Sequence, residues 1–81
     1  MATRTTVFRN TGVLTRAAAQ GKTVKFTYTD ASGKVSKRTI VASEAIPTPK
    51  NPSAVIFRGV ENGLNLRSFR SDRVLRARIV E

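Results

Sequence analysis

The chain has 81 residues and contains neither cysteine nor histidine, which predicts one small domain without disulfides, thiolate zinc sites or a histidine base. Fifteen Lys and Arg residues against five Asp and Glu residues give a net charge of +10, which favours a polyanionic partner, most simply nucleic acid. No apolar run approaches the roughly 20 residues of a membrane span, and no apolar signal-peptide region is found, so we expect a cytoplasmic protein without membrane contact.

The N-terminal residues 1–10 are predicted to form a flexible basic arm that carries Arg4 and Arg9. Asn10 or Thr11 is the predicted cap of a short helix, and Gly21 is its predicted C-terminal stop. Residues 11–81 are then expected to form a single domain.

A change to a period of two after Gly21 predicts a hairpin. Val24, Phe26 and Tyr28 alternate with polar residues, which is typical of a half-buried strand. Residues 30–33 form a predicted turn, and residues 35–42 form the return strand. Residues 43–53 contain all the prolines of the chain and are predicted to be a loop or an extended crossover.

A second hairpin is predicted from a short apolar strand over residues 54–58, followed by the turn residues Asn62 and Gly63. In the next strand Leu66 and Phe69 are three residues apart, so a regular strand would point them to opposite faces. If both face the core, a β-bulge lies near Arg67 or Ser68 and redirects the neighbouring arginines.

The C-terminal residues predict a tight turn at 71–73 and a last strand over residues 74–80. In this strand Leu75, Ala77 and Ile79 are expected to face inward, and Arg76 and Arg78 outward. The chain is therefore mainly β, with one helix and five short strands. We predict a small closed barrel, because closure removes sheet edges that so short a chain could not cover.

Three arginines at a spacing of three, Arg67, Arg70 and Arg73, stand around Phe69 and Asp72. Guanidinium groups bind phosphate and carboxylate oxygens through two parallel hydrogen bonds. At least one of these arginines is a predicted ligand contact, and Arg73 is the predicted structural partner of Asp72. The alternative is that one arginine pairs with Asp72 and the others are only solvated.

Three stretches together resemble the WYL domain of bacterial transcriptional regulators: residues 14–28, residues 33–40 and residues 67–74. The third stretch matches the Arg-x-Phe-Arg-x-Asp-Arg-Ile/Val pattern of that family closely, and the resemblance covers roughly residues 13–80. The Trp-Tyr-Leu tripeptide that names the family falls at Ala54, Val55 and Ile56, so its aromatic contacts are absent here.

The resemblance implies an Sm-like (Src-homology-3-like) five-stranded barrel with a basic surface. It also implies sensing of nucleic acid or nucleotide-like ligands, with Arg38, Arg67, Arg70 and Arg73 at the matching basic positions. We expect a free-standing domain that acts through a partner or by competing for nucleic acid.

The candidate ligand-binding residues combine the arginine motif with basic residues of the predicted strands and one aromatic: Arg38, Arg67, Arg70, Arg73, Lys25, Lys37, Arg76, Arg78 and Tyr28. Tyr28 and Phe69 either stack on bases or belong to the core. The lysines of the first hairpin either follow a phosphate backbone or form a solvated face.

We do not expect an enzyme, because the chain has no paired carboxylates at a readable spacing, no nucleophile elbow and no phosphate loop. No cofactor or metal is expected. The first hypothesis is a regulatory domain, related to transcription, that binds nucleic acid, with single-stranded DNA or RNA favoured, or a nucleotide-like ligand. The alternative is a protein-interaction module, including a homodimer, that docks an acidic partner such as a polymerase, a nuclease or another regulator.

Overall fold

The computed structural model describes residues 4–48 and 50–80. One helix precedes an antiparallel sheet of five strands, with the order β4-β3-β2-β1-β5. The elements are α1 (Arg4–Gln20), β1 (Thr23–Thr29), β2 (Val35–Thr48), β3 (Asn51–Glu61), β4 (Asn65–Arg70), a one-turn 3₁₀ helix (Ser71–Arg73) and β5 (Val74–Val80). The mainly β class predicted from the sequence is confirmed.

The predicted closure of the barrel is wrong. The strands β4 and β5 are the two edges of the sheet, and the 3₁₀ turn connects them without a hydrogen-bonded ladder. Side chains occupy this opening: the Tyr28 hydroxyl accepts a hydrogen bond from the backbone N–H of Arg70 at 3.3 Å. The Tyr28 and Phe69 rings pack edge to face with centroids 4.9 Å apart. A ring contact and one hydrogen bond therefore connect β1 to β4, while the edge strands β4 and β5 do not pair.

The helix begins at Arg4, so the predicted cap at Asn10 or Thr11 is wrong. Residues 4–10 of the predicted arm are helical, and residues 1–3 lie outside the described residues. Asn10 is buried inside the helix, where its side-chain amide donates a hydrogen bond to the Val74 carbonyl at 2.8 Å. Because the side chain bonds to a carbonyl distant in sequence, it does not compete for the backbone groups of its own helix. Asn10 is therefore compatible with a position inside the helix. The predicted stop is confirmed, because Gly21 has a φ of 63° directly after the last helical residue.

The first hairpin is confirmed, with Val24 and Phe26 buried on the inner side of β1. In its turn, the Asp30 carboxylate accepts hydrogen bonds from the Ser32 hydroxyl and from the backbone N–H groups of Lys34 and Ser32. The Ser32 hydroxyl makes the largest contribution to holding the pKa of Asp30 below its ordinary value. These bonds support the turn above the ordinary carboxyl pKa and are lost as the pH falls through the lowered value.

The predicted proline loop is wrong. The strand β2 continues to Thr48 and β3 begins at Asn51, with Pro47 opposite Val55 in the ladder. A proline retains its carbonyl acceptor, so it is tolerated in a strand position that requires no N–H donor. Pro49 lies outside the described residues.

A bulge bends the β2–β3 pair at its middle. Ala42 pairs with Gly59 and Glu44 with Arg58, so Ser43 is the additional residue on β2. A Cβ atom added to Gly59 would overlap the Ile40 side chain and lie 2.5 Å from the Val41 carbonyl oxygen. The close approach of the two strands at this bend therefore requires glycine.

The bulge predicted near Arg67 or Ser68 is also wrong. The β3–β4 register is continuous, and Phe69 is buried while Leu66 is 57% exposed. Exposing Leu66 resolves the difference in parity without an extra residue. The predicted turn before β4 is confirmed, because Asn62 and Gly63 have φ values of 56° and 75°.

A bulge lies in β5 instead. Leu75 pairs with Thr27 and Arg78 with Lys25, so both Arg76 and Ala77 lie opposite Phe26. Arg76 adopts a φ of 56° at this point. The bulge shifts the strand parity: Ala77 and Ile79 pack against the core as predicted, but Val74 is fully buried and Leu75 only half-buried.

The core lies between the inner face of the curled sheet and α1. Its fully buried members are Leu14, Ala17, Val24, Ile40, Phe57 and Val74. Phe26 lies near the centre, with its ring centroid 5.9 Å from that of Phe57 and 5.2 Å from that of Phe69.

A buried hydroxyl connects the helix to this sheet. Ser71 is fully buried; its Oγ accepts a hydrogen bond from the Val55 N–H at 2.9 Å and lies 2.8 Å from the Thr11 Oγ. Together with the Asn10–Val74 bond, this contact joins α1, β3 and the start of β5.

Replacement of Ser71 by alanine should lower the free energy of unfolding by about 1–3 kcal/mol, because the buried Val55 N–H loses its partner. Urea denaturation measures this change. Ser68→Ala, at an exposed position of β4, is the matched control and should change stability by less than about 0.5 kcal/mol. Equal stability of the two variants would contradict the role of this hydroxyl.

Candidate nucleic-acid interface

A basic groove crosses three neighbouring strands of the sheet. Its volume is about 410 Å³. The lining residues come from β1, β2 and β5: Lys25, Phe26, Thr27, Lys37, Arg38, Thr39, Arg76 and Arg78. Five of the eight lining residues are basic and none is acidic, so the groove is suited to a polyanion.

Four cations of this groove have no polar partner within the described chain: Lys25, Lys37, Arg76 and Arg78. All four are exposed. Lys25 and Arg78 are directly opposite in the β1–β5 pair, and like charges in such a position destabilise a sheet by a few tenths of a kcal/mol to about 1 kcal/mol. A bound anion would remove this repulsion.

The groove is formed by outward-facing side chains of β1 and β2 and by the strand β5, which has a bulge at this point. Lys25 and Thr27 alternate with buried residues on β1, and they pair with Thr39 and Lys37 of β2. On β5 both Arg76, at the bulge, and Arg78, opposite Lys25, line the same groove. Thr27 and Thr39 were not identified as site residues from the sequence. The signal was present, because each lies two residues after a lysine in a strand and therefore shares its face.

The arginine motif does not converge on the groove. Arg70 donates two hydrogen bonds to Asp72, from Nε at 3.1 Å and from Nη2 at 2.7 Å. The prediction that Arg73 pairs with Asp72 is therefore wrong, because Arg70 ends β4 and its fork faces the carboxylate in the following 3₁₀ turn. Arg73 is half-buried and has no ion pair within the described residues.

Arg38 and Arg67 share one carboxylate on the inner side of the sheet. Arg38 Nη1 donates to both oxygens of Glu61, at 3.1 and 3.2 Å, and its Nε donates to the Ser36 hydroxyl. The guanidinium carbon also lies 5.7 Å from the centroid of the Phe69 ring. Arg67 approaches the same carboxylate at 3.8 Å. These contacts make Arg38 a connection between β2 and β3, although it also lines the groove.

Tyr28 is half-buried among core aromatics, and Phe69 is 4% exposed. The Tyr28 ring contacts Phe26 and Phe69, and its hydroxyl is occupied by the Arg70 N–H. The core interpretation of both residues thus agrees with their packing, and neither contributes to the groove lining.

No protein-family profile matches the chain, and no curated protein sequence matches it either. Among the described residues, no helix has both the length and the apolar character needed to cross a membrane. The same residues contain no group of three or more acidic side chains that could hold a metal ion. The site is therefore interpreted from its geometry and charge.

The bulge residue Arg76 gives a test of backbone strain at the edge of the groove. Its positive φ of 56° costs a non-glycine residue about 1–2 kcal/mol, and glycine removes this strain but adds unfolded-chain entropy of about 0.5–1 kcal/mol. Arg76→Gly should therefore raise the free energy of unfolding by about 0.5–1 kcal/mol in urea denaturation. Arg78→Gly, in the same strand without a positive φ, should lower it, and equal effects of the two changes would contradict the strain.

Proposed function

We propose that this domain binds nucleic acid or a nucleotide-like ligand through the basic groove and acts as a cytoplasmic regulatory domain in transcription-related control. The observation that carries the proposal is a groove whose described lining residues include four cations without an ion pair and no acidic side chain. The proposal assigns the domain no catalytic step.

The distribution of the acidic residues supports this assignment. Glu44 binds Arg58 at 2.9 Å, Glu61 binds Arg38 and Arg67, and Asp72 binds Arg70. Of these four arginines only Arg38 lines the groove, where Glu61 neutralises it. The uncompensated charge of the groove can then attract phosphate groups, for which ammonium and guanidinium groups donate charge-assisted hydrogen bonds.

The proposed Sm-like and WYL-like identity rests on the helix before five antiparallel strands and on the motif of residues 67–74. In this chain the motif residues Arg70 and Asp72 bind each other, and Phe69 enters the core. We therefore assign the motif a mainly structural role and assign phosphate binding to the lysines and arginines of the groove.

Removal of two groove cations tests the proposal. The double variant Lys25→Ala, Arg78→Ala should weaken oligonucleotide binding and reduce the log-log salt slope by about 1.4 on a single strand, since each phosphate contact contributes about 0.7. The variant should remain folded, because it removes a pair of opposed like charges. Fluorescence anisotropy at several salt concentrations measures both quantities.

The matched control removes one lysine and one arginine at exposed positions outside the groove, Arg16→Ala and Lys50→Ala. It has the same net charge as the groove variant and should retain most of the affinity. Arg67→Ala, Arg70→Ala tests the motif and should change affinity less than the groove variant. If all three variants lose affinity equally, net charge explains the binding and the groove assignment is wrong.

A second candidate function is supported by an apolar row on the outer face. Val41 pairs with Val60, and Val60 pairs with Leu66, so these three residues are aligned across β2, β3 and β4. Val41 is 47% exposed and Leu66 is 57% exposed. Such a row favours a protein-interaction module, including a homodimer, that buries apolar side chains.

For the homodimer, sedimentation equilibrium at high salt should show an association that Val41→Ser, Leu66→Ser abolishes. High salt screens the repulsion between two strongly basic chains and leaves the apolar contact. Val35→Ser changes an exposed apolar residue at the other end of β2 and should have no effect. A monomer at every concentration would contradict self-association through this row.

A further inference from the structure

We infer that the groove binds the sugar–phosphate backbone of nucleic acid and makes no base-specific contact. This inference rests on the proposed function and specifies which part of the ligand is recognised. It excludes the alternative in which Tyr28 and Phe69 stack on bases.

The first support is the position of the aromatic rings. Phe26, Tyr28, Phe57 and Phe69 form one edge-to-face cluster in the part of the chain whose side chains the structure describes. Three of them are at most 4% exposed, and the hydroxyl of the fourth is bound to β4. Base stacking, worth about 1–3 kcal/mol per base on an open aromatic platform, has no such platform in the groove.

The second support is the chemistry of the groove wall. It contains no Asn, Gln, Asp or Glu side chain, the groups that read adenine and cytosine edges. Arginine reads guanine through a bidentate contact of its planar fork, and a fork that no neighbouring group orients is less preorganised for that contact. Among the described residues, Arg76 and Arg78 have no partner that would hold them, whereas the oriented arginines Arg38 and Arg70 are bound to carboxylates.

The groups that remain are suited to phosphate. Lys25, Lys37, Arg76 and Arg78 supply charge, and Thr27 and Thr39 supply hydroxyl donors. The strands β2, β1 and β5 are consecutive in the sheet, and their spacing of about 4.8 Å gives a basic surface about 10 Å wide.

The apolar row of Val41, Val60 and Leu66 does not line the groove. A strand bound in the groove therefore contacts ammonium, guanidinium and hydroxyl groups before it reaches aliphatic surface. Charge density should then decide between ligands, and duplex DNA should bind at least as tightly as a single strand of the same length.

The test compares three labelled DNA ligands of equal length by anisotropy: a mixed-sequence single strand, a strand made entirely of abasic sites, and a duplex. The intact and abasic strands should bind within about threefold of each other, because backbone contacts carry the affinity. Lys25→Ala, Arg78→Ala should weaken both by the same factor, and inorganic polyphosphate should displace both.

The outcomes separate the inference from the function on which it rests. An abasic strand that binds more than about tenfold more weakly, the effect of losing even one stacked base, would overturn backbone recognition while the groove remains the site. If the groove variant binds every ligand as the wild type does, or loses no more affinity than Arg16→Ala, Lys50→Ala, the proposed function itself fails. Equal binding of the two strands, lost only in the groove variant, supports both.

Discussion

The buried hydroxyl of Ser71 joins the parts of the fold on which the rest of the structure depends. It binds the Val55 N–H and contacts Thr11, so one side chain connects β3 to the helix at the 3₁₀ turn between the two edge strands. The nearby Asn10–Val74 bond holds the same helix against the start of β5. Because the helix covers the inner side of the sheet, the core is closed there although the sheet remains open.

This arrangement also explains where the charge accumulates. The inner side of the sheet is occupied by the aromatic cluster and by the Arg38–Glu61 pair, and the end of β4 by the Arg70–Asp72 pair. These ion pairs contribute modestly to stability, since they are partly exposed. Their larger effect is to neutralise Arg38 and Arg70, whereas Lys25, Lys37, Arg76 and Arg78 of the groove are left without an ion pair within the described residues.

The position of the β-bulge depends on more than which residues of a strand share a face. Leu66 and Phe69 required either a bulge in β4 or the exposure of one side chain, and the sequence does not rank these solutions. In the structure Leu66 is exposed, and the β-bulge lies in β5, where Arg76 is opposite Phe26. An exposed leucine costs little beside an edge strand, whereas the bulge in β5 allows Val74 to enter the core.

The residues alone were enough to predict the mainly β class, the helix stop at Gly21, both hairpin turns and the excess of positive charge. These features follow from local periodicity, from glycine conformation and from composition, which act over a few residues. Tertiary structure decided the open sheet, the partner of Asp72 and the separation of the groove from the arginine motif. These depend on contacts such as Arg38 with Glu61, 23 residues apart in the chain, and residue spacing does not encode which of several arginines reaches a given carboxylate.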